Sequence, residues 1–209
     1  MLLNRLRNRR TEEGAAAVEA AIITPLFLLL IFAIMEFGPV FLVWSGVKAA
    51  SKDGAREASS SGQDAYSDFN ILDTIRRTSR VNNLEYVMVF KGVDCTPALA
   101  SSCGVHSAVP VACKNAALIA SPGVAGLCNI YYPADLTKTK DKFGYHPTNN
   151  PLGVDFNYPA LDRKDYTTGP PDFVGVYVQS AYASPTGIVG DRKISETTVM
   201  QVEARRAVG

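Results

Sequence analysis

A run of 24 residues near the start, GAAAVEAAIITPLFLLLIFAIMEF (residues 14–37), constrains this chain more than any other feature. It is apolar enough to enter a bilayer, yet it carries a carboxylate, Glu19, close to its beginning. As a helix rising ~1.5 Å per residue, the nearly uncharged stretch 20–43 measures about 36 Å, enough for a hydrocarbon core ~30 Å thick. An ionised side chain at the centre of such a helix costs on the order of 3 kcal/mol, so an acid retained at its edge points to a role. Glu36, at the far end, is expected to reach outward to the headgroups.

The residues before the run, MLLNRLRNRRTEEG, are short and basic, with Arg5, Arg7, Arg9 and Arg10 against Glu12 and Glu13. Positive flanks stay on the cytoplasmic side, which places everything after Val43 outside the cytoplasm. A secretory signal carries its small-residue cleavage site after the apolar region, whereas here Gly14, Ala15, Ala16 and Ala17 precede it. A cut after Gly14 removes residues 1–14 as a basic leader, keeps the hydrophobic helix, and makes Ala15 the first residue and Glu19 the fifth. The new amine at Ala15 is a cation on the first helical turn, where a carboxylate at i+4 or on a neighbouring helix can pair with it.

This arrangement resembles the type IV prepilin signal, in which a prepilin peptidase cuts after glycine and the mature fifth residue is glutamate. More closely, Gly14, Val18, Glu19, Pro25, the Glu36-Phe37-Gly38 exit and Gly54-Ala55-Arg56-Glu57-Ala58 resemble the TadE-like family of pseudopilins or minor pilins of the tight-adherence (Flp) pilus system. The chain departs from that family's pattern at Glu13, Ala20 and Pro39, where Arg, Phe and Arg are usual. The resemblance covers about the first 60 residues. It implies processing at Gly14 and Ala15, an assembly role for Glu19 against the N-terminal amine of an adjacent subunit, and as partners a prepilin peptidase, other pilins or pseudopilins and the Tad assembly machinery. It also implies a single-pass protein of a bacterial cytoplasmic membrane, N-terminus inside, that enters a pilus or stays in the bilayer.

Net charge is +1 for the whole chain, and the leader holds four Arg and two Glu, so its removal leaves −1. No polybasic surface remains for nucleic acid. Cys95, Cys103, Cys113 and Cys128 fall on the extracytoplasmic side, where an even number of cysteines reads as two disulfides with three pairings open. The rival reading is a metal site, for which Cys103 and His106 have a C-x-x-H spacing but no second close pair.

The fold class expected is α+β: a long N-terminal transmembrane helix over 15–60 runs into a small antiparallel sheet domain (64–209) covered by a helix, with a disulfide-braced loop region. Val43, Val47, Ala50, Gly54 and Ala58 form a narrow stripe of mostly small residues. Such a stripe suits either a second helix in a filament or this protein's own sheet. Pro25 and Pro39 are expected to kink or break the helix. Residues 59–62, SSSG, end it. Residues 64–77 read as an amphipathic helix, the obvious cover for the sheet, and LEYVMVFK as a strand. The stretch 94–172 holds nine of the twelve prolines and all four cysteines, so little regular structure is expected there beyond a helix near 111–120 and a strand near 127–132. Residues 173–183 and 194–204 read as a strand pair.

No pattern of catalytic residues accompanies His106 or His146, and Asp155, Asp162, Asp165 and Asp172 read as solvated loop acids. The chain is therefore expected to be no enzyme and to need no cofactor or metal. The alternative to pilus assembly is a tethered envelope module for binding or adhesion, whose disulfide-braced loop recognises a ligand or surface.

Overall fold

The computed structural model describes residues 2–78, 83–92, 109–165, 169–184, 187 and 190–203, with side chains from residue 14 onward. Cys95, Cys103 and His106 lie outside the described residues.

The first element is one helix of 60 residues, α1 (Leu2–Ser61). Pro25 and Pro39 lie inside it and neither ends it, so of the expected kink or break the break is not there. Each proline removes one i→i−4 bond, and the helix continues on the bonds of its neighbours. Gly62 takes a left-handed φ of +48° as its N–H reaches the Ala58 carbonyl at 3.2 Å, which closes the helix as a glycine at that position does. The link that follows is tight: Asp64 N–H bonds the Ser61 carbonyl at 2.8 Å, and the Ser61 and Ser67 hydroxyls lie 2.6 Å apart. The Asp64 side chain accepts the Tyr66 N–H at 2.8 Å just ahead of α2 (Ser67–Thr78).

The remaining elements are β1 (Leu84–Gly92), α3 (Val111–Leu118), β2 (Gly123–Val124), β3 (Cys128–Tyr131), β4 (Phe173–Tyr182) and β5 (Arg192–Gln201). They form one five-stranded antiparallel sheet in the order β2-β3-β1-β4-β5. The irregular stretch thus supplies α3 and two strands, one of them an inner strand beside β1.

Strand alternation sorts the core into two faces. Val87 and Val89 of β1, Tyr131 of β3, and Val174, Val176 and Val178 of β4 join Val47, Ala50, Ala55 and Ala58 of α1 and Ile71, Leu72 and Ile75 of α2. Met88 and Phe90 instead meet Cys113 and Ala116 of α3, with Cys128 and Ile130 of β3. The small-residue stripe is therefore spent on this protein's own domain: Val47, Ala50, Gly54 and Ala58 are buried, and only Val43 is half-buried. The cover expected from α2 alone is shared, since the outer half of α1 packs on β4 and β5 with α2 beside it. Ser51 Oγ bonds the Val176 carbonyl at 2.9 Å and Ser59 Oγ the Gln201 carbonyl at 2.5 Å, tying helix to sheet at two levels.

On the second face, Cys113 and Cys128 form a disulfide that fastens α3 to β3 across 15 residues. Removing it by Cys113→Ser with Cys128→Ser is expected to cost about 3 kcal/mol by loop-closure entropy, read from urea unfolding of the full chain in detergent. Beneath the Phe90 ring sits Gly175, where a Cβ would come within 2.1 Å of the ring. Gly175→Val is expected to expel the ring and cost about 1–3 kcal/mol by the same titration.

Candidate functional site

The inner half of α1 carries the residues singled out for processing and assembly. Gly14, Ala15 and Glu19 lie in continuous helix and are exposed, as is the apolar surface that follows them, with Ile22 72 % and Leu26 70 % accessible. Among the described residues this is the one helix long and apolar enough to cross a membrane. At 100° per residue, eighteen residues make five turns, so Glu19 lies on the same side of α1 as Phe37, about 27 Å further in.

Contact with the outer domain begins at Glu36, which is 3 % exposed. The Ser184 hydroxyl donates to Glu36 Oε1, and the Tyr182 hydroxyl donates to the Glu36 carbonyl at 3.3 Å. Glu36 is thus held by Tyr182 at the membrane-proximal end of β4 and by Ser184 just after it, so its side chain is tied to the domain instead of reaching freely outward as expected. Two turns on, Trp44 Nε1 donates to Glu196 Oε1 of β5 at 2.8 Å, and the Lys48 ammonium lies 4.9 Å from the indole ring. The helix is therefore gripped along its length from residue 36 to residue 61.

At the joint between α1 and α2 lies a buried polar cluster that the sequence does not advertise. Arg163 and Asp68 form a fully buried ion pair. The other oxygen of Asp68 accepts Tyr131 OH at 2.5 Å and Asn129 Nδ2 at 2.9 Å. Arg163 also donates to Ser67 Oγ at 3.2 Å and to the Tyr158 carbonyl at 3.3 Å, and Gln63 Nε2 reaches back to the Arg163 carbonyl at 2.5 Å. Asn129 exchanges bonds with the backbone of Tyr158, donating at 2.9 Å and accepting at 2.9 Å. Asp155 takes the Gly144 and Tyr145 N–H groups at 3.1 and 2.9 Å. Together these bonds staple the loop 143–165 over the α1–α2 joint and onto β3.

Burial sets the protonation of this cluster. It pushes the Tyr131 hydroxyl well above its ordinary value, with Asp68 adding to the effect, so Tyr131 stays a donor. Burial and the nearby Asp68 charge raise the Asp155 carboxyl. For Arg163, desolvation opposes the charged form but the Asp68 carboxylate outweighs it, and the guanidinium stays charged.

Asp155 and Asp165 are therefore buried, at 1 % and 3 % exposure, and not the solvated acids expected. Asp172 accepts the Lys164 N–H at 3.0 Å, while Asp162 is exposed. No reactant can reach the Asp68–Arg163 pair from solvent, so its chemistry is structural. His146 Nδ1 accepts the Thr148 and Asn149 N–H groups, each at 3.2 Å, and caps its own turn. Among the described residues no group of three or more His, Cys, Asp or Glu is placed to hold a metal ion. A groove of about 260 Å³ between α2 and residues 135–143 carries Arg76, bonded to Asp73, and Lys138, bonded to Asp135.

The structural weight of the cluster gives a measurable contrast. Arg163→Met leaves a buried carboxylate unpaired and is expected to cost about 3–5 kcal/mol in urea unfolding. Adding Asp68→Leu removes that charge and should return part of the loss.

No curated protein and no solved structure matches the chain. The family model described as TadE-like protein matches residues 14–56, a stretch that runs from the exposed small residues before Glu19 to the buried stripe beneath the sheet, and it is over that stretch that the chain is similar to the family.

Proposed function

We propose that this chain is a minor pilin- or pseudopilin-like membrane subunit that takes part in assembling a Tad/Flp-type pilus after a prepilin peptidase removes residues 1–14. The observation that carries this reading is where the family match begins. It starts at Gly14, takes in Ala15, Glu19 and the apolar helix, and links the chain to Tad pilus components. Glu19 stands exposed on the first turns of the shortened helix, where it can meet the amine of a neighbouring subunit; in an apolar surround such a pair is stabilised over two separate charges. The outer domain then lies on the extracytoplasmic side, where the Cys113–Cys128 bond persists. Its role is assembly, without catalysis of its own.

The small-residue stripe is buried within the domain and so is closed to a neighbouring subunit, whereas Glu19 lies on the exposed surface of α1. Mass spectrometry of the membrane form should find Ala15 as the first residue only when a prepilin peptidase is co-expressed; an intact Met1 start in both conditions contradicts processing. Glu19→Ala should leave the protein in the membrane and abolish or sharply reduce piliation; normal piliation contradicts the assembly role.

One observation favours the second reading, a tethered binding or adhesion module. The disulfide-tethered α3 ends in Leu118 and Ile119, 84 % and 79 % exposed, and Val111 at its start is 72 % exposed. Leu118→Asp with Ile119→Asp should leave filaments intact under the assembly reading. Loss of surface attachment with filaments intact would favour the binding module.

A further inference from the structure

The two sides of α1 leave the membrane at different heights. On the domain side, polar structure begins at Glu36, beside Ser184, whose N–H bonds the exposed Asp191 at 3.1 Å just ahead of the exposed Arg192 and Lys193, which open β5. On the opposite side the apolar surface continues without a step from Leu30 through Ile34, Phe37 and Phe41 to Leu42, with Phe37 62 %, Phe41 63 % and Leu42 70 % exposed. It turns polar only beyond Leu42, at Trp44, Ser45, Lys48 and Lys52. Glu36 and Leu42 are six residues apart, about 9 Å along the axis.

An upright helix cannot satisfy both sides. With the outer boundary at Glu36, Phe37, Phe41 and Leu42 stand bare in the headgroups and the water beyond. With the boundary at residue 43, Glu36 and the charged start of β5 are drawn toward hydrocarbon, at several kcal/mol for each unpaired polar group. A lean removes the conflict. The exposed face lies ~5 Å to one side of the axis and the packed strands ~10 Å to the other, so an offset of about 9 Å corresponds to a tilt of about 30°, within the 0–40° that transmembrane helices adopt.

We propose that α1 crosses the bilayer obliquely, leaning so that its exposed face from Phe37 to Leu42 lies among the outer-leaflet lipid chains while Glu36 and the start of β5 ride at the headgroups on the upper side. The occupant of this face is lipid, because the face continues the span's own apolar surface and ends where an indole and a lysine take over, as at a membrane interface. On the exposed face the hydrocarbon then covers about residues 20–42, with Glu19 at the inner margin. The proposal rests on the reading of α1 as a membrane span.

The chain has a single tryptophan, so depth can be read by moving it. On a Trp44→Phe background, Leu30→Trp, Phe41→Trp and Ala183→Trp are reconstituted in phosphatidylcholine vesicles carrying bromine both near the glycerol end and near the methyl end of the acyl chains. Bromine is expected to lower emission on the order of twofold for probes at 30 and 41 and to leave a probe at 183 unchanged, although Tyr182 next to it contacts Glu36, below residue 41 along the helix. Phe37→Trp serves as a second probe of the same face should the residue-41 variant fold poorly. Equal quenching at 41 and 183, or none at 37 and 41 with quenching at 30, overturns the lean; the latter result also marks a protein rather than lipid on that face. No quenching at 30 overturns the membrane reading itself.

Discussion

The seating of α1 on its own sheet is the contact on which everything else in this molecule depends. From Val47 to Ala58 the helix presents Ala and Gly to β4, and the close approach this allows is used by Val176 and Ile75, which come within 3.2 Å of where a Gly54 Cβ would sit. Because this helix is continuous with the apolar run, the hydrophobic rod and the domain core are one covalent, hydrogen-bonded element. The domain is built around the end of its anchor. A force or a shift applied to the inner half, where Glu19 lies, therefore moves the sheet with it.

The polar cluster beneath loop 143–165 serves the same joint from the other side. Ser67 and Asp68 open α2, Gln63 belongs to the turn after α1, and Arg163 bonds all three residues at once. With Asn129 and Tyr131 on β3, the ion pair fixes the angle between two helices and a strand that apolar packing alone would leave free to slide. Burying charges is costly, and a pair with every oxygen of Asp68 engaged is the arrangement that offsets that cost.

Much of this was legible in the residues. Hydrophobic length and the Arg-rich flank marked the rod; Asp64 and the spacing of Phe69, Leu72 and Ile75 marked α2; alternating Val, Met and Phe marked β1; and the last two strands lie within a few residues of where β-branched runs placed them. What the residues hid was long-range. The Arg163–Asp68 pair joins positions 95 apart, and a loop rich in Asp and Pro reads as solvated until its partners are known. Strand order likewise follows from pairings such as Val89 with Asn129 and Val176, which local periodicity does not encode. Glu36 looked free to reach outward because its partners, Tyr182 and Ser184, come from the far end of the chain. Pro39 looked like a break because local propensity takes no account of packing that holds the helix on either side.

Rigid continuity between rod and domain is the claim that matters most, and hydrogen–deuterium exchange on the full chain in lipid nanodiscs reads it residue by residue. The amides of residues 40–58 are expected to exchange as slowly as those of Val176 and Val178 in β4, opening only when the whole domain does. Rapid exchange over residues 36–43 while β4 stays protected would show a hinge at Pro39 and contradict the account.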